Sequence, residues 1–92
     1  MPETIIAEET LDLAGAARLL DTLKSHRGMA VTLDLGSVRQ AGAPALQVLL
    51  AARSAWDADG VAFTLAPVSG PCREAVRLMG AEAELLGEGG AA

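Results

Sequence analysis

The chain has 92 residues, a formal net charge of −5, and 51% hydrophobic residues that include one Trp, one Phe and no Tyr. That length suits one small domain and is too short for two, and its core must be aliphatic and marginal in size. The acidic balance argues against nucleic acid and anionic membrane surfaces, which need a basic footprint, and favours a basic partner face.

Thr4 to Ala7 is a short β-prone run, followed by a polar turn at Glu8 and Glu9. Leu13, Ala16, Ala17, Leu20 and Leu23 then recur at helical spacing, with Arg18, Asp21, Thr22 and Lys24 opposite, which predicts an amphipathic helix. Asp12 is its expected N-cap, Lys24, His26 and Arg27 suit its C-terminal end, and Gly28 can close it. Val31, Leu33 and Leu35 alternate with Ala30, Thr32 and Asp34, as in a strand over 30–35. Ala45, Leu49, Ala52 and Trp56 mark a second helix over 44–57, and Asp59-Gly60 turns the chain into a strand over 61–66 that Pro67 is expected to end. Ser69 or Gly70 can cap a third helix with Pro71 in its first turn and Cys72, Ala75, Val76 and Met79 as its stripe. A last turn over 81–86 is expected to pack back through Leu85 and Leu86. Residues 1–86 form one domain in this reading, and 87–92 a disordered Gly/Ala-rich tail.

Strand, helix, strand, helix, strand, helix requires crossover connections and therefore an α/β fold with parallel strand pairs. Alternation within the strands, in place of continuous apolar runs, predicts a small mixed or parallel sheet with helices mainly on one face. No apolar run approaches the roughly 20 residues that span a bilayer. The N-terminus lacks the basic start and apolar stretch of a signal peptide, and a lone cysteine suits a reducing compartment, so the expected location is cytoplasmic without membrane insertion.

The run from Val31 to Leu50, a buried strand, a short loop and a helix start, resembles the STAS domain of bacterial anti-sigma-factor antagonists. In that family an Asp-Leu-Ser-x-Val-type strand end leads through Asp-Ser/Thr-x-Gly-Leu into a helix, and the Ser or Thr is the regulatory phosphorylation site. Alignment through Asp34, Leu35, Val38 and Leu46 places Gly42 at the Asp, Ala43 at the phospho-acceptor and Ala45 at the Gly. The resemblance covers about Thr4 to Leu86. The family has a further N-terminal strand, so the sheet is expected to lack one edge strand.

The resemblance implies a stand-alone protein-binding module without catalytic activity; because Ala43 cannot be phosphorylated, the turn is expected to dock constitutively as a small apolar surface, the other reading being a degenerate turn whose role was lost. The expected docking residues are Ala41, Gly42, Ala43 and Pro44 with Gln47 and Ser54 on the following helix. A Leu-Gln-Val-Leu-Leu-Ala-Ala-Arg-type helix, as at 46–53, resembles the STAS proteins of chemotaxis clusters, which implies a histidine kinase, an anti-sigma-type kinase or another signalling component as partner. The chain also resembles the cytoplasmic STAS subunit of phospholipid ABC transporters, which binds the ATPase subunit. Ser37 is the candidate displaced phosphosite, although a loop Ser after Gly is more often a turn residue.

The remaining reactive side chains read as structural. Asp34 is expected to bond the following amides, His26 to face a helix end, Cys72 to pack inside, and Trp56 to serve the core or its rim, with an interface anchor as the other reading. No Gly-rich phosphate-binding motif occurs, and one Cys with one His is too few for a zinc site, so no cofactor and no metal are expected.

Overall fold

The computed structural model describes residues 2–87. In chain order the elements are β1 (Glu3–Ile6), β2 (Thr10–Leu11), α1 (Leu13–Lys24), β3 (Val31–Leu35), β4 (Gln40–Ala41), α2 (Ala43–Asp59), β5 (Phe63–Val68), α3 (Gly70–Leu78) and α4 (Glu82–Leu86). The main sheet has strand order β1-β3-β5, and both of its pairs are parallel. A separate two-stranded parallel ladder joins β2 to β4.

Register assigns the two faces of the sheet. Ile5, Leu33 and Leu65 are aligned, as are Val31 and Phe63, and this side is packed; Thr4, Thr32 and Thr64 are aligned on the side left open. Ile5, Val31, Leu33, Leu35 and Phe63 join Ala16, Leu19 and Leu23 of α1, Ala45, Leu46, Leu49, Ala52 and Trp56 of α2, Cys72 and Val76 of α3 and Leu85 of α4 in one core. The expected α/β architecture with helices on one face is therefore present. Each fully buried Leu in such a core contributes about 1.5–3 kcal/mol.

The helix starts follow from capping chemistry. Asp12 accepts at Oδ1 from the Gly15 N–H at 2.8 Å, and Ser69, the cap of α3, accepts at Oγ from the Cys72 N–H at 3.1 Å. The Ser69 hydroxyl also donates to the Val38 carbonyl, which ties the loop after β3 to the start of α3. Arg53 of α2 donates to the Phe63, Glu84 and Leu85 carbonyls, binding α4 and the edge of β5 to the central helix.

Four expectations are corrected. The buried stripe of α1 is Gly15, Ala16, Leu19 and Leu23, while Leu13 is 73% exposed and Ala17 and Leu20 also face outward. Close approach sets this rotation: a Cβ on Gly15 would lie 2.6 Å from the Thr10 carbonyl oxygen, so only glycine lets this face of the helix sit against β2. Pro67 does not end the third main strand, which continues to Val68 through a cis Ala66–Pro67 bond; β5 is an edge strand, where the missing N–H is tolerated. The register shifts so that Leu35 aligns with Val68. Met79 is 40% exposed and serves as the C-cap of α3, outside the buried stripe of Cys72 and Val76. Two strands precede α1, not one, and the second belongs to the small ladder. Of the expected tail, Gly87 is the left-handed cap of α4, and residues 88–92 lie outside the described residues.

Candidate functional site

The turn into α2 is held by the β2–β4 ladder. Thr10 aligns with Gln40 and Leu11 with Ala41, and the Gly42 N–H continues the ladder by donating to the Leu11 carbonyl at 3.1 Å. Upstream, the Arg39 and Gln40 N–H groups both donate to the Glu9 carbonyl, at 2.7 and 3.2 Å. An exposed Arg39–Glu9 ion pair at 3.7 Å adds little, since exposed pairs are worth about 0–1 kcal/mol. Backbone bonds between the entry to α1 and the entry to α2 therefore fix the turn.

Gly42 is the N-cap of α2, with φ −90° and ψ 175°, and its carbonyl accepts the first helical bond from the Leu46 N–H at 3.2 Å. Ala43 and Pro44 are the first two helical residues. If a hydroxyl at position 43 is expected also to cap the helix, the structure corrects that: position 43 stands one residue inside the helix, so the absence of a hydroxyl there removes no cap. The side-chain cap is missing at Gly42, and Gly in place of a good cap costs only a few tenths of a kcal/mol. Of the three longest helices, α2 is the one that starts without a side-chain cap.

Gly42, Ala43 and Pro44 are exposed and Ala41 is half-buried. Ala43, Gln47 and Ser54 fall at i, i+4 and i+11, so helix geometry sets all three on one exposed line that starts at the turn. Together with the turn they make one side of the α2 surface, with half-buried Leu50 between Gln47 and Ser54. It is uncharged and carries no nucleophile other than the Ser54 hydroxyl. Beside it, Thr10, Asp12, Gln40, Ala41 and Gly42 line an open depression of about 240 Å³. Thr10, Asp12 and Gln40 were not legible as neighbours of this surface, because the two-residue strands that carry Thr10 and Gln40, and that bring the Asp12 cap beside the turn, have no sequence period.

Ser37 is exposed on the turn after β3 and makes no hydrogen bond among the described residues. Asp34 accepts at Oδ1 from the Gly36 N–H at 2.8 Å, the strand-end role expected of it. His26 bonds through Nδ1 to the Thr22 carbonyl at 2.8 Å, at the C-terminal end of α1. Cys72 is fully buried, and burial pushes its thiol pKa up against the opposing charge of Arg73, which disfavours the thiolate and fits the packing role expected of it. Trp56 is 2% exposed, donates from Nε1 to the Met29 carbonyl at 2.8 Å and packs on Phe63 at 5.3 Å, which makes it a core residue. Among the described residues no three His, Cys, Asp or Glu side chains are grouped to hold a metal, and no helix is long and apolar enough to cross a membrane.

The family described as "Mlab, STAS domain" matches residues 3–87. Neither the curated proteins nor the solved structures gave a match.

Proposed function

The chain belongs to the STAS domain family, and from that membership we propose that it is a non-catalytic docking module of bacterial signalling. Its partner in this reading is a histidine kinase, an anti-sigma-type kinase or a chemotaxis component of the cytoplasm. It binds through Ala41, Gly42, Ala43 and Pro44 with Gln47 and Ser54, and it does so constitutively.

The observation that carries this reading is Ala43 itself. It stands exposed at the start of α2, at the position where the family pattern carries its phospho-acceptor, and has no atom that can take a phosphate. Phosphorylation there would add about −1.5 to −2 charge at a helix N-terminus and change what the surface can dock against. A methyl group leaves the surface uncharged at all times, so binding is set by partner abundance and not by a kinase–phosphatase balance.

A second reading keeps the same surface and changes the partner to the ATPase subunit of a phospholipid ABC transporter. What favours it is that the matching family is described by Mlab and not by anti-sigma-factor antagonism. Affinity capture from the native cytoplasm, with Ala43→Glu in parallel, separates the readings. A signalling kinase captured by the native chain and lost with Ala43→Glu supports the first; an ABC ATPase lost in the same way supports the second. Equal capture by both proteins overturns docking through this turn.

A further inference from the structure

Among the residues that the sequence patterns for burial and the structure leaves outside, Leu20 lines a groove. Leu20 of α1 and Val48, Ala51 and Ala55 of α2 line an apolar cleft of about 160 Å³ between the two helices, with Trp56 also lining it and Lys24 on its rim. On α2, Val48, Ala51 and Ala55 recur at i, i+3 and i+7, a second apolar stripe beside the one that faces the core. On α1, Leu13, Ala17 and Leu20 extend the exposed apolar line beyond the cleft. Alanine on the α2 side lets another backbone approach closely.

Charge selects the occupant. Arg18, Arg27, Arg39 and Arg77 are paired with Glu8, Asp59, Glu9 and Glu74, Arg53 holds three backbone carbonyls, and Arg73 is engaged as well. Lys24, the one lysine of the sequence, has no partner among the described residues, and it lines this cleft. The other charged lining residue, Arg27, is held by Asp59 with its guanidinium 5.8 Å from the centre of the Trp56 ring. A chain with net charge −5 thus presents its unpaired cation at the edge of an apolar groove.

From these features we infer that the α1–α2 groove is a second docking site, which receives an amphipathic helix of another protein. The helix lays its apolar face on Leu20, Val48, Ala51 and Ala55 and sets an Asp or Glu against Lys24. About two to three turns suffice, since Val48 to Trp56 spans roughly 12 Å at 1.5 Å per residue. The site adjoins the line of Gln47 and Ser54, since Ala51 falls between them on α2, but does not include the Ala41 to Pro44 turn.

The test is photo-crosslinking of the full chain in its native cytoplasm, with p-benzoylphenylalanine at Ala17, exposed beside the groove one turn before Leu20, or, as control, at exposed Ala83, and sequencing of the crosslinked segment. The expected adduct at position 17 is a helical segment with apolar residues at i, i+3/i+4 and i+7 and an acidic flank. Lys24→Glu should lower its yield about fivefold, the factor for roughly 1 kcal/mol, and an acidic-to-Lys exchange in the segment should restore it. Ala43→Glu should leave this adduct unchanged, which keeps the outcome independent of the turn. An adduct to a second copy of this chain, a segment without that pattern, a yield no higher than at position 83, or a yield indifferent to Lys24→Glu would overturn the inference.

Discussion

The Gly42 N–H donates to the Leu11 carbonyl at 3.1 Å, and this one bond joins the entry of the first helix to the entry of the second. With the Arg39 and Gln40 bonds to the Glu9 carbonyl it fixes the backbone of the turn into α2, which has no side-chain cap. A Cβ on Gly42 would meet Pro44 Cδ at 3.6 Å and the Leu11 oxygen at 3.8 Å, ordinary contacts, and φ is −90°. Gly42→Asp should therefore stabilise the fold by about 1 kcal/mol, through the cap, the helix dipole and a less flexible unfolded chain. Thermal unfolding checks it: the midpoint is expected to rise by about 4–8 °C, and a fall would show that the turn cannot hold a cap.

Gly15→Ala should act against helix propensity. In an exposed helix interior the exchange gains up to about 1 kcal/mol, but here the new Cβ would stand 2.6 Å from the Thr10 carbonyl oxygen and 3.3 Å from Asp12 Oδ1. The expected result is a loss of about 1–3 kcal/mol as α1 is pushed off β2. Urea denaturation reads it as a lower midpoint.

These two glycines also mark the limit of what was legible in the sequence. Period-two alternation located β3, and the Asp12 and Ser69 caps located the starts of α1 and α3. In α1, however, Ala and Leu occupy so wide an arc that spacing cannot choose between Leu13, Ala17 and Leu20 and the stripe of Gly15 and Leu19 that is actually buried. A close approach to the Thr10 carbonyl, which lies outside the helix five residues before Gly15, made that choice, and helical spacing does not encode it. The β2 and β4 ladder was invisible because two residues have no period, and with it went the placement of Thr10, Asp12 and Gln40 beside the turn. The family alignment located Ala43, while its rank as first helical residue rather than cap came only from the backbone.

Ser69→Ala removes a cap and a crosslink together. Its oxygen accepts from the Cys72 N–H at 3.1 Å, and its hydroxyl donates to the carbonyl of fully buried Val38. A loss of about 1–3 kcal/mol is expected. Amide hydrogen exchange should quicken at Cys72 and in the loop between β3 and β4 more than in β1, whereas a uniform change would mean the two bonds act only through global stability.

The pH dependence follows from the sign of each shift. Burial raises the Cys72 pKa, so its stabilising contribution is complete below the ordinary thiol range and is lost as pH rises through the raised value. Glu8, Asp59 and Glu74 are held below the ordinary carboxylate range by hydrogen bonds from Arg18, Arg27 and Arg77, so their contribution is present above that range and lost as pH falls through the lowered values. All three are exposed pairs, and the acid loss should be small. With no Tyr in the chain, a decline in stability above about pH 9 should be dominated by Cys72 and flatten in Cys72→Ala. Urea midpoints at neutral and alkaline pH decide it.

The most direct test of docking through the α2 turn is the NMR footprint of the captured partner on the isotope-labelled chain. The amides of Ala41, Gly42, Ala43, Gln47 and Ser54 are expected to shift or broaden together, with those of Thr4, Thr32 and Thr64 on the open sheet face unmoved. A footprint confined to that sheet face, or an unchanged turn in a saturated complex, would contradict the central claim.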